Sequence, residues 1–255
     1  MKSLLPKLLI LLTFTALNGC VTTKKLTYLQ AEAATTDTIA AIAPADYKVM
    51  PYDNLFIRVV TPDPKWSEMF NTMPMTMNSI NVTELSADLI SYPVDGSGAI
   101  LLPYAGKVAV AGKTLPEITE DVQNVLKGYI ADPAVSVKMI NNYVSLLGEV
   151  KKPGRYPIYK DRMNIFQALA MGGDLADYSN RQMVQVIRQT GNGNVIKEFS
   201  LTDRSIMESE FFYVMPNDVI YAKPMKGKFF QMNAFPYTVI LGTLTTFILM
   251  WNVLK

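Results

Sequence analysis

The sequence has 255 residues, of which 49% are hydrophobic and 18% charged, with 24 basic and 22 acidic side chains. This length suffices for two modest domains with tails. It contains no histidine and one cysteine, which excludes Ser-His-Asp and Cys-His nucleophile systems, the usual His/Cys zinc sites and disulfides within the chain. The balance of charge is near neutral, so nothing indicates a nucleic-acid partner.

No carboxylate pair stands in a context that singles it out for acid–base catalysis. Catalysis by paired carboxylates is left open by the residue types alone, but it is the minority hypothesis. We therefore expect a protein that is not an enzyme and that needs no metal and no cofactor.

Residues 1–19 have the pattern of a secretory signal peptide. Two lysines precede the apolar run Leu8–Leu12, and small residues follow before Cys20. The segment Leu17–Cys20 resembles a bacterial lipobox, although Asn18 departs from the usual small residue. This predicts that Cys20 is lipidated and becomes the first mature residue. The alternative is an ordinary signal peptide with a coincidental cysteine.

Residues 20–45 are rich in alanine and threonine and are predicted to form a linker. A turn and a strand should follow, and their motif occurs twice, as Val49–Asp53 and as Val214–Asp218. In both copies proline sets φ and aspartate can accept hydrogen bonds from nearby N–H groups. Asn217 can adopt positive φ readily, whereas Tyr52 would do so only with strain. We interpret the motif as structural.

The stretch 92–140 alternates turns and short strands around one helix. Thr114 and Glu117 predict a helix with a capping box, followed by a half-buried strand over Ala134–Ile140. The apolar face of the helix should consist of Ile118, Val122, Val125, Leu126 and Tyr129. The Gly112-Lys113-Thr114 tripeptide is not a phosphate-binding loop, because Lys107 stands where that loop requires its first glycine.

The stretch 143–173 predicts a second small unit of strand, tight turn, strand and helix. An apolar strand over Tyr143–Leu147 leads to a turn at Pro153 and Gly154, where glycine would accept positive φ. The helix should be capped by Asn164 and ended by two glycines. Further strands are expected at residues 183–188, 195–199 and 219–222, with a hairpin turn between the first two.

The segment 229–255 is predicted to be a transmembrane helix, because residues 229–254 carry no charge and the last 20 of them would span about 30 Å. A polar stripe of small side chains follows one face of that helix, consisting of Thr238, Gly242, Thr245 and Asn252. Such a stripe predicts contact with neighbouring helices or a wet lumen. The alternative is a simple membrane anchor, or packing against one partner helix.

The motifs of both units together resemble the Wza-like outer-membrane polysaccharide export lipoproteins. The first matching series is Val94-Asp95, Gly98, Ile100, Leu102-Pro103, Gly106-Lys107-Val108, Gly112-Lys113-Thr114, Tyr129, Asp132-Pro133 and Val135-Ser136-Val137. The second is Leu147-Gly148-Glu149-Val150, Pro153-Gly154 and Ala168–Gly173. Tyr52 departs from the glycine usual in this family.

The resemblance implies an α+β fold with a polysaccharide export domain at 46–140, a soluble-ligand-binding β-grasp domain at 141–223 and the C-terminal helix. It also implies a lipid-anchored, mostly periplasmic protein in the outer membrane of a Gram-negative bacterium. There it would form a homo-oligomeric ring, an octamer being one option, as a channel for capsular or extracellular polysaccharide.

The partners implied are the polysaccharide, membrane lipid and an inner-membrane polysaccharide co-polymerase or tyrosine kinase. The alternative function is a periplasmic glycan-binding or scaffold lipoprotein whose C-terminal helix is only an anchor.

Overall fold

The computed structural model describes residues 23–30, 43, 45–71, 90–140, 142–159, 162–228 and 237–253. The elements within these ranges are, in chain order, β1 (Asn54–Val60), α1 (Pro64–Phe70), β2 (Tyr92–Pro93), β3 (Ala99–Leu102), β4 (Gly106–Ala109), α2 (Leu115–Leu126), β5 (Ala134–Ile140), β6 (Tyr143–Gly148), β7 (Gly154–Pro157), α3 (Ile165–Met171), β8 (Ser179–Thr190), β9 (Gly193–Phe199), β10 (Val219–Pro224) and α4 (Tyr237–Val253). Short 3-10 turns occupy Thr23–Lys25 and Arg204–Glu208. The predicted signal peptide and Cys20 lie outside the described residues.

The first sheet has the strand order β2-β1-β5 and is antiparallel. β1 and β5 pair along their whole length, and β3 and β4 form a separate hairpin. The predicted capping box of α2 is confirmed, because Glu117 Oε2 accepts from the Thr114 N–H at 2.7 Å and from its hydroxyl at 2.9 Å. The helix buries Ile118, Val122 and Leu126. Tyr129, expected on the same face, lies beyond the helix end and is exposed.

The second sheet has the strand order β7-β6-β10-β8-β9. β6 and β10 are parallel, and every other neighbouring pair in this sheet is antiparallel. α3 buries Ile165, Ala168 and Leu169, and its predicted cap is confirmed because Asn164 Oδ1 accepts from the Gln167 N–H at 2.9 Å. The two buried clusters draw on residues 49–137 and 144–222 respectively, which gives an α+β fold with two cores.

The glycine on which the second unit depends is Gly148, not Gly154 as the sequence predicted. Gly154 has no positive φ, it opens β7, and an added Cβ would lie 3.7 Å from the Tyr156 ring. Gly148 has φ +81°, and a Cβ there would lie 2.2 Å from the Ala222 carbonyl oxygen. Pro153 does precede β7, so the turn forms, but the position that side chains cannot occupy is at the end of β6.

Residues 28–30, which the sequence places in a linker, pack against the second core. The N–H groups of Leu29 and Gln30 donate to the carbonyls of Leu201 and Thr202 at 3.2 and 2.8 Å. The Tyr28 hydroxyl donates to Asp174 Oδ1 at 2.6 Å. Composition did not reveal this contact because only two apolar side chains, Tyr28 and Leu29, carry it.

The predicted C-terminal helix forms as α4, but its predicted span of the membrane is not supported. α4 has 17 residues, which corresponds to about 25 Å against a hydrocarbon core of about 30 Å. Of the helices in the part of the chain that the structure describes, none is long and apolar enough to cross a membrane. The side chains described on α4, residues 240–253, are all exposed.

Candidate functional site: two aspartate turns at the junction of the sheets

The first aspartate turn leads into β1. Asp53 Oδ2 accepts a hydrogen bond from the Met50 N–H at 2.8 Å and another from the Tyr47 hydroxyl at 2.9 Å. Tyr52 has φ 73° and is 83% exposed. Its N–H donates to the Val94 carbonyl at 2.9 Å, which ties the turn to the end of β2. Tyr52, which by sequence would adopt positive φ only with strain, therefore does adopt it.

The second aspartate turn leads into β10 and repeats this geometry. Asp218 Oδ2 accepts from the Met215 N–H at 2.8 Å. Asn217 has φ 64°, as predicted, and its N–H donates to the Tyr143 carbonyl at 2.8 Å. The two copies of the sequence motif thus fold alike, and each carboxylate fixes the start of a strand in a different sheet.

Arg188 is the partner of the second carboxylate. Its side chain is 8% exposed, and its Nε and Nη2 atoms donate to the two oxygens of Asp218 at 3.0 and 2.8 Å. Nη2 also donates to the Tyr213 carbonyl at 2.9 Å, and the guanidinium lies 4.5 Å from the Phe211 ring centroid. This pair fastens β8 to the turn before β10.

The electrostatics of both turns reflect their burial. Burial raises the pKa of Asp53, against hydrogen bonds from Met50 and Tyr47 that lower it. Burial likewise raises the pKa of Asp218, against the effect of Arg188 and of the Met215 N–H. The pKa of Tyr47 lies well above its usual value because of burial, the Asp53 carboxylate and, across the junction, Asp218.

One cavity of about 470 Å³ lies between the two turns. Residues from both halves of the chain line it, namely Asp46–Pro51, Ala111, Gly112, Arg188–Gly191 and Met215. Around it every buried carboxylate oxygen named above has a donor, and the described residues include no acidic, cysteine or histidine cluster that could hold a metal ion. Asp53 is held by donors from its own half of the chain and Asp218 by donors from the other half, and the two turns face the same cavity.

The predicted stripe residues lie together on α4, and Cys20 lies outside the described residues. Gly242, Thr245 and Asn252 lie on α4, and the backbone of Thr238 lies on the same helix. The Thr245 hydroxyl donates to the carbonyls of Leu241 and Gly242 at 2.9 Å, so its polar group is satisfied within the helix. Whether this face contacts neighbours stays a prediction.

Sequence reasoning missed Arg188 and Tyr47. A signal for Arg188 was present, because β8 alternates buried Val184 and Val186 with partly exposed residues, and Arg188 occupies the next buried position. A charged residue in a core register requires a buried counter-charge. The repeated motif supplied a candidate, Asp218, but nothing in the sequence linked the two.

Comparison with known proteins finds a family match to the first half of the folded chain. The sequence profile of the family described as "Polysaccharide biosynthesis/export protein" matches residues 41–140. The match ends at the last residue of β5 and covers the first sheet, the β3–β4 hairpin and α2.

Three curated relatives are similar to this chain over stretches of different length. The exopolysaccharide production protein ExoF of Rhizobium meliloti is 32% identical over 148 residues, which are 56% of this chain and 32% of that protein. The EPS I polysaccharide export outer membrane protein EpsA of Ralstonia nicotianae is 34% identical over 87 residues, 33% of this chain and 23% of that protein. The capsule polysaccharide export outer membrane protein CtrA of Neisseria meningitidis serogroup B is 24% identical over 171 residues, 66% of this chain and 41% of that protein.

The chain thus matches less than half the length of each of these relatives. The similarity to CtrA is longer than the segment 41–140, so it extends beyond the family profile. These findings confirm the resemblance to the Wza-like export proteins.

Proposed function

Because the segment 41–140 belongs to the polysaccharide biosynthesis/export family, we propose that this protein exports a capsular or extracellular polysaccharide at the outer membrane of a Gram-negative bacterium. The family match carries this proposal. The names of EpsA and CtrA, which give export of a polysaccharide and the outer membrane, support it. This family is not an enzyme class, and in the proposed role the chain catalyses nothing.

The proposed mechanism is passage through a homo-oligomeric ring. The first sheet, as the export domain, and the second sheet, as a β-grasp domain, would each form a tier around a hydrated lumen. The two halves of the chain meet at the cavity between the Asp53 and Asp218 turns, so each copy could contribute one sheet to each tier. The driving force would come from polymer synthesis and from an inner-membrane co-polymerase or tyrosine kinase.

The proposal also assigns roles to Cys20, as the site of a lipid anchor, and to α4, as a contact between neighbouring copies. Cys20 would be acylated, and it stands eight residues before Tyr28, which packs against the second core. The lipid would therefore hold the second sheet near the bilayer. On α4, the face with Gly242, Thr245 and Asn252 would contact the same helix of neighbouring copies, where the missing side chain of Gly242 permits close approach.

Electron microscopy of the purified full-length lipoprotein tests the channel. The proposal requires closed rings with a central cavity in wild-type protein, and fewer rings in Gly242→Leu, which would crowd the helix contact. Thr243→Leu, one residue along and on a different face, is the matched control. Monomers that bind glycan but never form rings would instead support the scaffold function.

A further inference from the structure

Tyr52 and Asn217 occupy the same position in the two aspartate turns, but only one of them suits it. Their φ angles are 73° and 64°. Their N–H groups donate to the carbonyls of Val94 and Tyr143 at 2.9 and 2.8 Å. Asparagine adopts this left-handed conformation readily, whereas a bulky side chain in it is an outlier. The same turn is thus built once with a favourable residue and once with an unfavourable one.

The strain at Tyr52 is not offset by packing within the described part of the chain. Six non-glycine residues there have positive φ, and three of these are aspartate or asparagine. Leu29 packs against the second core, and the Tyr104 ring lies edge-on to the Phe70 ring with the centroids 5.9 Å apart. The Tyr52 side chain is 83% exposed, and its hydroxyl makes no hydrogen bond with the described residues. Backbone strain of this kind concentrates at functional sites.

Gly96 determines where the Tyr52 ring lies. A Cβ added at Gly96 would be 3.2 Å from the Tyr52 hydroxyl oxygen and 3.9 Å from Cζ. The hydroxyl end of the ring therefore rests on the main chain of the turn at residues 95–98, and a side chain at Gly96 would crowd it. The remainder of the ring projects into solvent.

The same turn carries an exposed acceptor and an exposed donor. Asp95 Oδ1 accepts from the N–H groups of Ser97 and Ala99 at 2.9 and 3.0 Å, and Oδ2 accepts from Lys107 Nζ at 3.0 Å. A carboxylate oxygen has two lone pairs and an ammonium has three N–H groups. Because both side chains are open to solvent, Oδ2 and Nζ each have capacity for a further hydrogen bond.

We propose that the Tyr52 ring is a platform on which a sugar unit of the exported polysaccharide stacks, with Asp95 and Lys107 beside it to bind the sugar hydroxyls. A sugar ring presents C–H groups on its faces and hydroxyls at its edges. An aromatic face next to an exposed acceptor and donor matches that chemistry. This inference rests on the proposed export of a polysaccharide and names one residue that contacts the polymer.

The surroundings of Tyr52 favour a polysaccharide over a second protein chain. The centres of protein–protein contacts are depleted in charged residues. The Tyr52 ring instead lies on a turn whose exposed side chains are polar, namely those of Asp95, Ser97 and Lys107. The strained backbone also holds the ring in place before the polymer arrives, which lowers the ordering cost of binding.

Affinity electrophoresis tests the platform, using the purified full-length protein in gels that contain the purified surface polysaccharide of the same bacterium. Tyr52→Asn should weaken the apparent affinity by about 2- to 10-fold, because it removes the ring. The same variant should raise the melting temperature by about 2–4 °C, because asparagine suits the turn. Tyr52→Phe keeps the ring and the strain, so its affinity and melting temperature should stay close to those of wild type.

The matched control is Tyr159→Asn. Tyr159 is also 83% exposed, but it has no positive φ and lies in the second half of the chain. Its replacement should change neither the affinity nor the melting temperature.

Wild-type affinity in Tyr52→Asn, an equal loss in Tyr159→Asn, or a wild-type protein that does not bind the polymer would overturn the platform. Fewer rings in Tyr52→Asn with unchanged affinity for the polymer would also overturn it, and would assign Tyr52 to a contact between copies. Export itself is measured separately, by the surface polysaccharide of a deletion strain. Failure of the platform alone therefore leaves the export function standing.

Discussion

The Arg188 guanidinium and the Asp218 carboxylate form a two-pronged, buried ion pair, with Nε–Oδ1 at 3.0 Å and Nη2–Oδ2 at 2.8 Å. The pair connects β8 to the turn before β10 and lies beside the cavity that the first aspartate turn also lines. Removing one partner of such a pair leaves the other charge buried without compensation. The stability of the second core should therefore depend on both residues.

We expect Arg188→Ala to lower the free energy of unfolding by about 3 to 5 kcal/mol, measured by denaturant titration of the purified protein. Lys107→Ala is the matched control, because Lys107 also binds an aspartate, Asp95, but the side chains of this pair are 67% and 41% exposed. It should change the denaturation midpoint little. Equal midpoints for the two variants would show that the buried pair does not stabilise the fold.

The sequence predicted those features that depend on neighbours within a few residues. The capping boxes at Thr114 and Asn164, the strand β5 and the positive φ of Asn217 all follow from short-range chemistry. It did not predict the parallel pairing of β6 with β10, whose residues are more than 70 positions apart. Gly148 was missed for the same reason, since the obstacle to a side chain there is the carbonyl of Ala222.

Gly148 and Gly154 can be compared directly by substitution. Gly148→Ala should destabilise the protein by about 2 kcal/mol or more, because it combines a left-handed backbone with a clash against a main-chain oxygen. Gly154→Ala should be neutral or stabilise by about 0.5 kcal/mol, because its backbone suits any residue. Thermal melting of both variants checks this, and a larger loss at Gly154 would contradict the assignment.

The packing of residues 28–30 against the second core should weaken at alkaline pH, because Tyr28 loses its proton there. Burial, and then the hydrogen bond to Asp174, raise the pKa of Tyr28 from 10.0 to about 12. The folded state therefore favours the neutral hydroxyl, and its contribution to stability is complete below pH 10 and is lost as the pH rises through about 12.

Tyr28→Phe isolates this effect, because it keeps the ring and removes the titrating group. The difference in unfolding free energy between wild type and Tyr28→Phe should stay constant below pH 10 and fall as the pH rises toward about 12. Other buried tyrosines titrate in both proteins and cancel in the difference. A difference that does not change with pH would show that Tyr28 does not hold this segment in its neutral form.

We predict that Cys20 is acylated in the mature protein, independently of the stability of either core. Mass spectrometry of the mature protein from membranes should find a lipid-modified Cys20 as the first residue, and Cys20→Ser should yield an unlipidated form. A matched Asn18→Ala substitution, which improves the lipobox, should leave processing intact. Unlipidated wild-type protein whose first residue lies after Cys20 would contradict the prediction.

The central claim is that the chain exports polysaccharide, and the location of the polymer in a deletion strain tests it most directly. Deleting the gene should remove the polysaccharide from the cell surface while newly made polymer is retained inside the cell, and the wild-type gene should restore the surface polymer. Surface polysaccharide at the wild-type level in the deletion strain, with no polymer retained inside, would contradict the claim.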